Sequence, residues 1–389
     1  MRILHLISTL DRRAGGPAAS VRNIVSGYHK LGHDAEIVTL DDPSAVYLQE
    51  LDVPVHALGP VSTEFGYTPK LIPFLRRERD RFDGVVVHGL WQYLGFAARR
   101  VFHGHKPYMV FPHGMLDPYF KRAYPSKHFK KSLYWIFIEY WTLRGAKRIL
   151  FTSEMESELA PQTFWPHSWR SSVVPYGAKM SDGDPALLRK LFLSGVPTLN
   201  SSNGSSKFYL LFLGRVHPKK GCDLLLDAFS QIADKDPNLQ LVLAGPVERE
   251  LKDELVAKAV AGGVSDRVHW VGMLEGDLKW GALYGCDAFI LPSHQENFGI
   301  AVAEALACGK PVLISNKVNI WDTVLLDGAA IVANDDAAGT LELLERWLSL
   351  TPDARSTMGH AALRSFQHRF NMQKNVGTLI TLFSSLTSS

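Results

Sequence analysis

Short apolar segments of β-forming residues alternate with segments of helical periodicity along most of the chain. Val, Ile and Leu run nearly continuously in these segments, and this favours parallel strands that helices bury on both faces. The predicted strands are residues 2–8, 35–40, 84–88, 108–112, 148–153 and 172–175, then 209–214, 239–244, 268–273, 288–292, 311–315 and 329–333. We therefore predict an α/β protein with two doubly wound domains.

The length of 389 residues and the 46% hydrophobic content fit two domains, each with its own core, and exclude a disordered chain. A segment rich in Gly, Ser and Asn lies near the middle. We predict an N-terminal domain at residues 1–185, a linker at 186–205 and a second domain at 206–365. Ligands of such sheets bind beyond the carboxyl ends of the strands, and the cleft between the domains is the expected site.

The cysteine content indicates the redox setting. Cys222, Cys286 and Cys308 are too few for a disulfide scaffold and lack metal-ligand spacing. The first residues lead directly into a strand-like segment rather than a signal peptide, and no apolar run reaches 18 residues. We expect a reduced, cytoplasmic protein that is soluble or at most peripheral to a membrane.

The formal net charge of +3 conceals an asymmetry. Residues 1–180 carry 23 Lys and Arg against 16 Asp and Glu, whereas residues 181–389 carry 19 against 23. A basic half is compatible with nucleic acid, an anionic membrane surface or anionic substrates, and the total charge does not choose among them.

A polar turn after the predicted strand 288–292 contains the strongest local motif, Glu296-Asn297-Phe298-Gly299 followed by Glu304. Gly299 allows backbone N–H groups to approach a ligand, and the following helix N-terminus favours anions. Both glutamates can border one ligand. The alternative is that Glu296 caps the helix and that Glu304 is a solvated helix residue.

A second loop follows the predicted strand 209–214 and reads Gly214-Arg215-Val216-His217-Pro218-Lys219-Lys220-Gly221. Arg215 and Lys220 flank a tight turn before a helix that begins near Cys222. Two cations at a helix N-terminus suit a pyrophosphate, which Arg binds by its fork and Lys as a point charge. The alternative is a solvated loop of surface cations.

These two loops together resemble the retaining glycosyltransferases of the glycogen-synthase-like family four, of the polysaccharide-assembly type. The resemblance rests on G-R-x-x-x-K-K-G, on E-x(7)-E and on the A-x-G-x-P-V that follows, and it extends over essentially the whole chain. It implies the GT-B fold, in which two Rossmann-like domains face each other across a cleft. It also implies that the C-terminal helix, residues 366–389, packs back onto the first domain.

Two motifs of the first half support the resemblance. Gly15-Gly16-Pro17 stands where the family has a glycine-rich loop, and a flexible turn is the alternative. His113-Gly114 follows the strand at 108–112, where the family places a histidine that faces the transferred sugar. A structural histidine is the alternative. Residues 88–92 are expected to line the acceptor side.

The resemblance implies a role for each of these residues. Arg215 and Lys220 would hold the diphosphate and stabilise the leaving group, and Glu304 would bind the ribose. Glu296 would lie near the donor sugar, and His113 would hydrogen-bond the sugar near the reacting carbon. The remaining donor-binding groups are the backbones of Gly15, Gly16, Asn297, Phe298 and Gly299. The resemblance implies no metal and no cofactor besides the nucleotide-sugar substrate.

The expected reaction is transfer of a hexose from a UDP-sugar or GDP-mannose to a glycan, with retention of configuration. Basic residues 121–131 next to the aromatic segment 134–141 favour a lipid-linked acceptor and attachment at the inner face of the cell membrane. An ordinary buried helix is the alternative for this segment. An epimerase or hydrolase of the GT-B type and a non-enzymatic nucleic-acid-binding protein are the alternative functions.

Overall fold

The computed structural model describes residues 1–199 and 208–387. The chain divides into two compact units, each built around its own parallel sheet. The first comprises residues 1–177 together with the chain from residue 370 onwards, and the second comprises residues 178–369. Every strand pairing within the described residues is parallel, as the near-continuous apolar segments predict.

The first unit contains a seven-stranded sheet within the described residues, in the order β3-β2-β1-β4-β5-β6-β7. Its strands are β1 (Arg2–Ile7), β2 (Asp34–Thr39), β3 (Val55–Ala57), β4 (Gly84–His88), β5 (Tyr108–Phe111), β6 (Arg148–Phe151) and β7 (Ser171–Val173). The strand order reverses between β1 and β4, which is where ligands of doubly wound sheets bind.

The helices of the first unit cover both faces of this sheet. They are α1 (Gly16–Lys30), α2 (Leu71–Glu78), α3 (Tyr93–Phe102), α4 (Tyr119–Ala123), α5 (Pro125–Tyr134), α6 (Tyr140–Gly145) and α7 (Glu154–Leu159). A π-helical turn, Trp135–Glu139, joins α5 to α6. Helix α1 begins with Pro17 in its first turn and buries Val21, Ile24, Val25 and Tyr28, as its periodicity predicts.

The C-terminal helix, Met372–Thr387, packs against α1 in the first unit. Two glycines make this close packing possible. A Cβ on Gly27 would lie 2.9 Å from Val376 Cγ2, and a Cβ on Gly84 would overlap the Phe383 ring. Val376, Leu379 and Phe383 join the core on this face of the sheet.

The second unit contains a six-stranded sheet within the described residues, in the order β10-β9-β8-β11-β12-β13. Its strands are β8 (Phe208–Leu213), β9 (Leu239–Ala244), β10 (Val268–Gly272), β11 (Ala288–Leu291), β12 (Val312–Ser315) and β13 (Ala330–Ala333). Its helices are α8 (Pro185–Gly195), α9 (Cys222–Ile232), α10 (Arg249–Ala261), α11 (Gly276–Gly285), α12 (Ile300–Ala307), α13 (Trp321–Leu326), α14 (Ala337–Ser349) and α15 (Pro352–Ser365). Its order reverses between β8 and β11.

The division between the units differs from the predicted one at three points. The first unit ends at Gly177 rather than at residue 185, and Phe366–Arg369 belong to the second unit. Residues 186–195 of the predicted linker lie in α8, because its Leu188 and Phe192 are buried where α8 packs against α11. Asp184 caps this helix through the N–H groups of Ala186 and Leu187. Residues 200–205 of the predicted linker lie outside the described residues.

Candidate functional site

The loop after β8 begins the candidate site in the second unit. It contains Arg215, a 3₁₀ turn at Pro218–Lys220, and then Gly221 in the left-handed conformation at φ +67°. Helix α9 starts at the next residue. A Cβ at Gly221 would overlap the carbonyl oxygen of Pro292, so only glycine allows this loop to approach the loop after β11.

The loop after β11 is fastened directly to the loop after β8. The His294 backbone N–H and the Ser293 hydroxyl both donate to the Lys219 carbonyl oxygen, at 2.8 and 3.0 Å. The Lys219 ammonium donates to Gln295 Oε1 at 2.9 Å. Since β8 and β11 flank the point where the strand order reverses, the two predicted loops meet at the expected binding edge of the sheet.

An ion pair between Lys220 and Glu296 joins the two loops through their side chains. Both side chains are largely buried. Burial, and then the positive charges of Lys219 and Arg215, lower the pKa of Lys220 to about 7. The two residues that the sequence assigned to phosphate and sugar therefore balance each other's charge in this structure.

Arg215 lies in the same loop but is exposed, and it makes no hydrogen bond or ion pair with any residue in the described ranges. An arginine of this kind can bind a phosphate or carboxylate through two parallel hydrogen bonds without breaking a contact within the protein. Arg215 is therefore the cation of this loop that is most available to a ligand.

Helix α12 begins after Gly299, which adopts the left-handed conformation at φ +74°. Asn297 and the buried Phe298 precede it, so the backbones of the three predicted donor-binding residues lie at the helix start. Glu304 follows within α12 and accepts a hydrogen bond of 2.6 Å from Lys279 of α11. Only 12% of the Glu304 side chain is exposed, which contradicts the alternative of a solvated helix residue.

The first unit carries the other predicted residues. Gly15, at φ +91°, and Gly16 form the start of α1, and no atom of the described residues, apart from the chain neighbours of Gly15, lies within 4 Å of a Cβ placed on Gly15. His113 follows β5 and adopts a positive φ of 55°, which is uncommon for a residue other than glycine. Such a backbone persists only where the surrounding structure holds it, and it occurs preferentially at functional sites.

Glu156 holds the turn at His113, and the sequence analysis missed it. This buried carboxylate accepts the Gly114 N–H at 2.7 Å through Oε1, and Oε2 accepts the N–H and hydroxyl of Thr152, both at 2.7 Å. Glu156 lies at the start of α7 beside the N-cap residue Ser153. The position of Glu156 near a helix start could be read from the sequence, but no local pattern indicated that its carboxylate would bind the backbone of Gly114.

A cavity of about 820 Å³ opens in the first unit near the carboxyl ends of β1, β2 and β4. Its wall contains Leu90, Trp91 and Gln92 of the segment that the sequence assigned to the acceptor side. It mixes aromatic rings with carboxyl groups, and its other lining residues include Asp41, Asp42, Glu64, Phe65, Phe120 and Lys131. Aromatic faces next to hydrogen-bonding groups suit a polar ligand with apolar ring faces, such as a sugar.

A buried glutamate supports one side of this cavity. Glu139, in the π-helical turn, accepts a hydrogen bond from the Trp91 backbone N–H, and Trp91 itself has a positive φ of 68°. Burial raises the pKa of Glu139 to about 8. The Lys131 ammonium lies 4.7 Å from the centre of the Trp91 ring and thus forms a cation–π contact at the cavity wall.

Family models match both units. A model described as glycosyl transferase 4-like domain matches residues 15–177, and one described as glycosyl transferases group 1 matches residues 200–365. The chain belongs to the GT4-type, GT-B glycosyltransferases. The predicted family and fold are thereby confirmed.

Individual relatives of this glycosyltransferase cover different shares of it. A GDP-mannose:cellobiosyl-diphosphopolyprenol alpha-mannosyltransferase from Xanthomonas campestris is 25% identical over 95% of this chain and 94% of its own. A D-inositol 3-phosphate glycosyltransferase from Actinosynnema mirum is 32% identical over 56% of this chain. The match spans 53% of that relative, so the chain aligns with about half of its length.

The solved structures support the fold. The Anabaena protein HepE, in complex with UDP and glucose, superimposes with a TM-score of 0.77 over 99% of this chain and 100% of its own, at 18% identity. No helix in the described part of this glycosyltransferase is both long and apolar enough to span a membrane.

Proposed function

We propose that this glycosyltransferase moves a hexose from a UDP-sugar or GDP-mannose to a glycan acceptor in cell-surface polysaccharide synthesis. The observation that carries the proposal is the group of Arg215, the Lys220–Glu296 ion pair and the start of α12 at one edge of the second sheet. A nucleoside diphosphate needs positive charge and backbone N–H donors for its phosphates, and this edge offers both.

The proposed chemistry uses these cations on the leaving group. The bond between the anomeric carbon and the diphosphate oxygen breaks, and the acceptor hydroxyl oxygen bonds to that carbon from the same face. Attack from the same face retains the configuration, and the acceptor proton passes to the departing phosphate oxygen. Arg215 and Lys220 would stabilise the charge that develops on the diphosphate, which is the task a divalent metal performs in other phosphate sites. We therefore propose that the transfer needs no metal.

Glu296 and Glu304 fit donor binding better than attack on the sugar. Each is engaged by a lysine, and both belong to the loop and helix that follow β11. A pair of glycosidase-type carboxylates would instead flank the reacting bond from two sides. We therefore assign Glu304 to the ribose hydroxyls, and Glu296 to the sugar once ligand binding has displaced Lys220 towards phosphate.

Donor binding is tested by calorimetric titration with UDP-, GDP- and ADP-sugars, followed by assays of nucleotide release with and without EDTA. We expect one UDP- or GDP-sugar to bind, Arg215→Ala and Glu296→Ala to weaken it, and EDTA to have no effect. Lys235→Ala is the matched control, because Lys235 pairs with Glu345 on the surface of the same unit. The absence of binding by any sugar nucleotide would refute the proposal.

We also propose that the acceptor occupies the 820 Å³ cavity of the first unit and is lipid-linked. The cavity combines Trp91, Gln92 and Asp41, which offer a ring face and hydrogen-bonding groups to a sugar. The Xanthomonas campestris relative described above is named for a cellobiosyl-diphosphopolyprenol acceptor. Gln92→Ala should raise the KM for the acceptor without changing donor affinity, and an unchanged acceptor KM would argue against this assignment.

An exposed apolar stripe on α5, the π-helical turn and α6 supports attachment to an anionic membrane surface. Trp135 and Glu139 face the interior, whereas the side chains at Phe129, Leu133, Ile136, Phe137 and Trp141 are between 42% and 74% exposed. The exposed cations Lys121, Arg122, Lys127 and Lys130 flank them. Apolar side chains bordered by lysine suit the headgroup region of anionic lipids.

Vesicle flotation tests this attachment. The wild-type protein should float with vesicles that contain phosphatidylglycerol and not with pure phosphatidylcholine, and Phe137→Ser together with Lys130→Glu should abolish flotation. Leu326→Ser is the control, because Leu326 is 82% exposed in the other unit. Equal flotation of the wild type and the double variant would contradict the proposal.

A further inference from the structure

Four side chains in the first unit form one buried hydrogen-bonded chain. The Tyr28 hydroxyl lies 3.2 Å from His5 Nε2, His5 Nδ1 lies 2.9 Å from His88 Nε2, and His88 Nδ1 lies 3.0 Å from His113 Nε2. These residues come from α1, β1, β4 and the loop after β5. This row of hydrogen-bonded side chains therefore crosses the sheet where the strand order reverses, and it ends at the turn that contains His113.

Each ring in the chain is neutral and carries a single N–H. Burial lowers the pKa of His5 and of His113 to about 3, and burial with the neighbouring imidazoles lowers that of His88 well below its ordinary value. A neutral imidazole donates through one nitrogen and accepts through the other. Every ring must therefore donate in the same direction along the chain, and two arrangements remain.

Tyr28 distinguishes the two arrangements. In the first, Tyr28 donates to His5, His5 donates to His88, and His88 donates to His113. In the second, every bond is reversed and the Tyr28 hydrogen needs an acceptor elsewhere. Within the described ranges the Tyr28 hydroxyl has no other hydrogen-bond partner, and the residue is fully buried. Nδ1 of His113 has no partner among the described residues in either arrangement, whereas the second also leaves the buried Tyr28 hydrogen without an acceptor, so the first arrangement is favoured.

The first arrangement fixes the proton of His113. Its Nε2 accepts from His88, so its single hydrogen is on Nδ1. Nδ1 is itself buried and makes no hydrogen bond to any residue that the structure describes, so its hydrogen lacks an acceptor that a ligand oxygen at this turn would supply. We propose that Tyr28, His5 and His88 are positioning residues that hold His113 as an Nδ1–H donor towards an oxygen of the bound sugar.

The role towards the sugar rests on the proposed function, whereas the direction of the hydrogen bonds does not. In the reversed arrangement Nδ1 of His113 would be an acceptor and would call for a sugar hydroxyl that donates. The direction of these hydrogen bonds thus decides whether His113 Nδ1 binds an acceptor atom or a donor atom of the sugar. The stacking of the His88 and His113 rings at 5.1 Å between centroids keeps the rings aligned.

Nitrogen-15 NMR of protein labelled in its histidine rings tests the direction in the resting enzyme. His113→Asn identifies the resonances of His113 among the 15 histidines of the chain. We expect the wild-type protein to show a protonated Nδ1 and an unprotonated Nε2 for His113. A protonated Nε2 would overturn the proposal. This result does not depend on any transferase activity or on the folding of a Tyr28, His5 or His88 variant.

Tyr28→Phe then tests whether the tyrosine sets the direction. Tyr108→Phe is the matched control, because the buried Tyr108 hydroxyl donates to the Thr142 carbonyl oxygen in the same unit without joining the chain. We expect the two His113 nitrogen shifts to move towards each other in Tyr28→Phe and not in the control, with kcat lowered about threefold to tenfold and KM for the donor little changed. Unchanged shifts and kcat would overturn the assignment of Tyr28.

Discussion

Lys279 of α11 holds the Glu304 carboxylate of α12 through a hydrogen bond of 2.6 Å, and both side chains are largely buried. The carboxylate proposed to bind ribose is therefore already oriented before any ligand arrives. Preorganisation of this kind reduces the entropy lost on binding. We therefore expect Lys279 to contribute to donor affinity, although it lies in neither of the two sequence motifs.

Lys279→Met removes this cation and leaves Glu304 free to rotate. We expect the dissociation constant for the sugar nucleotide to rise about tenfold, which corresponds to about 1.4 kcal/mol. Calorimetric titration measures it. Lys258→Met is the control, because Lys258 pairs with Asp227 at 2.6 Å elsewhere in the unit. Equal affinities of Lys279→Met and the wild type would show that the orientation of Glu304 is irrelevant.

Arg215→Ala separates binding from stability. Because Arg215 is exposed and makes no hydrogen bond or ion pair with a described residue, its loss should change the free energy of unfolding by less than about 0.5 kcal/mol. Loss of two charge-assisted bonds to phosphate should weaken nucleotide binding about 10-fold to 100-fold. Urea unfolding and titration with the nucleoside diphosphate measure the two effects, with Arg249→Ala as the exposed control. A large loss of stability would point to a structural role.

The Lys220–Glu296 pair should show strong coupling in a double-mutant cycle. Lys220→Met and Glu296→Gln each remove one partner of a largely buried ion pair and should each cost about 1–3 kcal/mol of unfolding free energy. The double variant should cost less than the sum, because no charge then remains unpaired. Urea unfolding of the four proteins measures the coupling. Additive losses would mean that the two charges do not stabilise each other.

Glu139 should make the protein less stable as the pH rises. Its folded pKa of about 8 lies above its unfolded value of 4.5, so the folded state binds the extra proton between these two values. This contribution is fully present below pH 4.5 and is lost as the pH rises through 8, at about 1.4 kcal/mol for each pH unit in that window. Glu139→Gln should flatten this slope in unfolding measurements between pH 5 and 9, and a parallel slope would contradict the assignment.

The buried histidines should act in the opposite direction. Their folded pKa values are lowered, so the unfolded chain binds more protons below about pH 6.5, and stability falls as the pH decreases from there. We expect the unfolding free energy of the wild type to decrease more steeply between pH 6 and 4 than that of His88→Gln. His29→Gln is the control, because the exposed His29 takes no part in the hydrogen bonds that join Tyr28, His5, His88 and His113. Identical acid slopes in all three proteins would exclude this effect.

The alternation of apolar segments predicted the strands well, because a strand that is buried on both faces is a nearly continuous run of apolar residues and is easily recognised in the sequence. All twelve predicted strands are present, with ends that differ by a residue or two. Strand β3 was missed because Val55, His56 and Ala57 are few and only half buried at the sheet edge. The predicted linker was wrong over residues 186–195, because Leu188 and Phe192 are buried positions of helix α8 and the polar composition is confined to its end and to the segment after it.

The site was predicted less completely than the fold. Residue types and strand ends indicated Arg215, Lys220 and Glu296, but nothing in the sequence showed that Lys220 and Glu296 would pair, since 76 residues separate them. The histidine chain was equally hidden. His5 lies within a predicted strand and His88 ends one, and only the adjacency of β1 and β4 brings them together. Pairings of this kind follow from sheet order rather than from local pattern.

The bonds between the loops after β8 and β11 have a mechanical consequence. Gly221 leaves no room for a side chain against Pro292, and the Lys219 carbonyl oxygen holds both Ser293 and His294. A pull on one loop is therefore transmitted to the other, so the two cannot open independently. An insertion in either loop would have to be matched by a change in its neighbour.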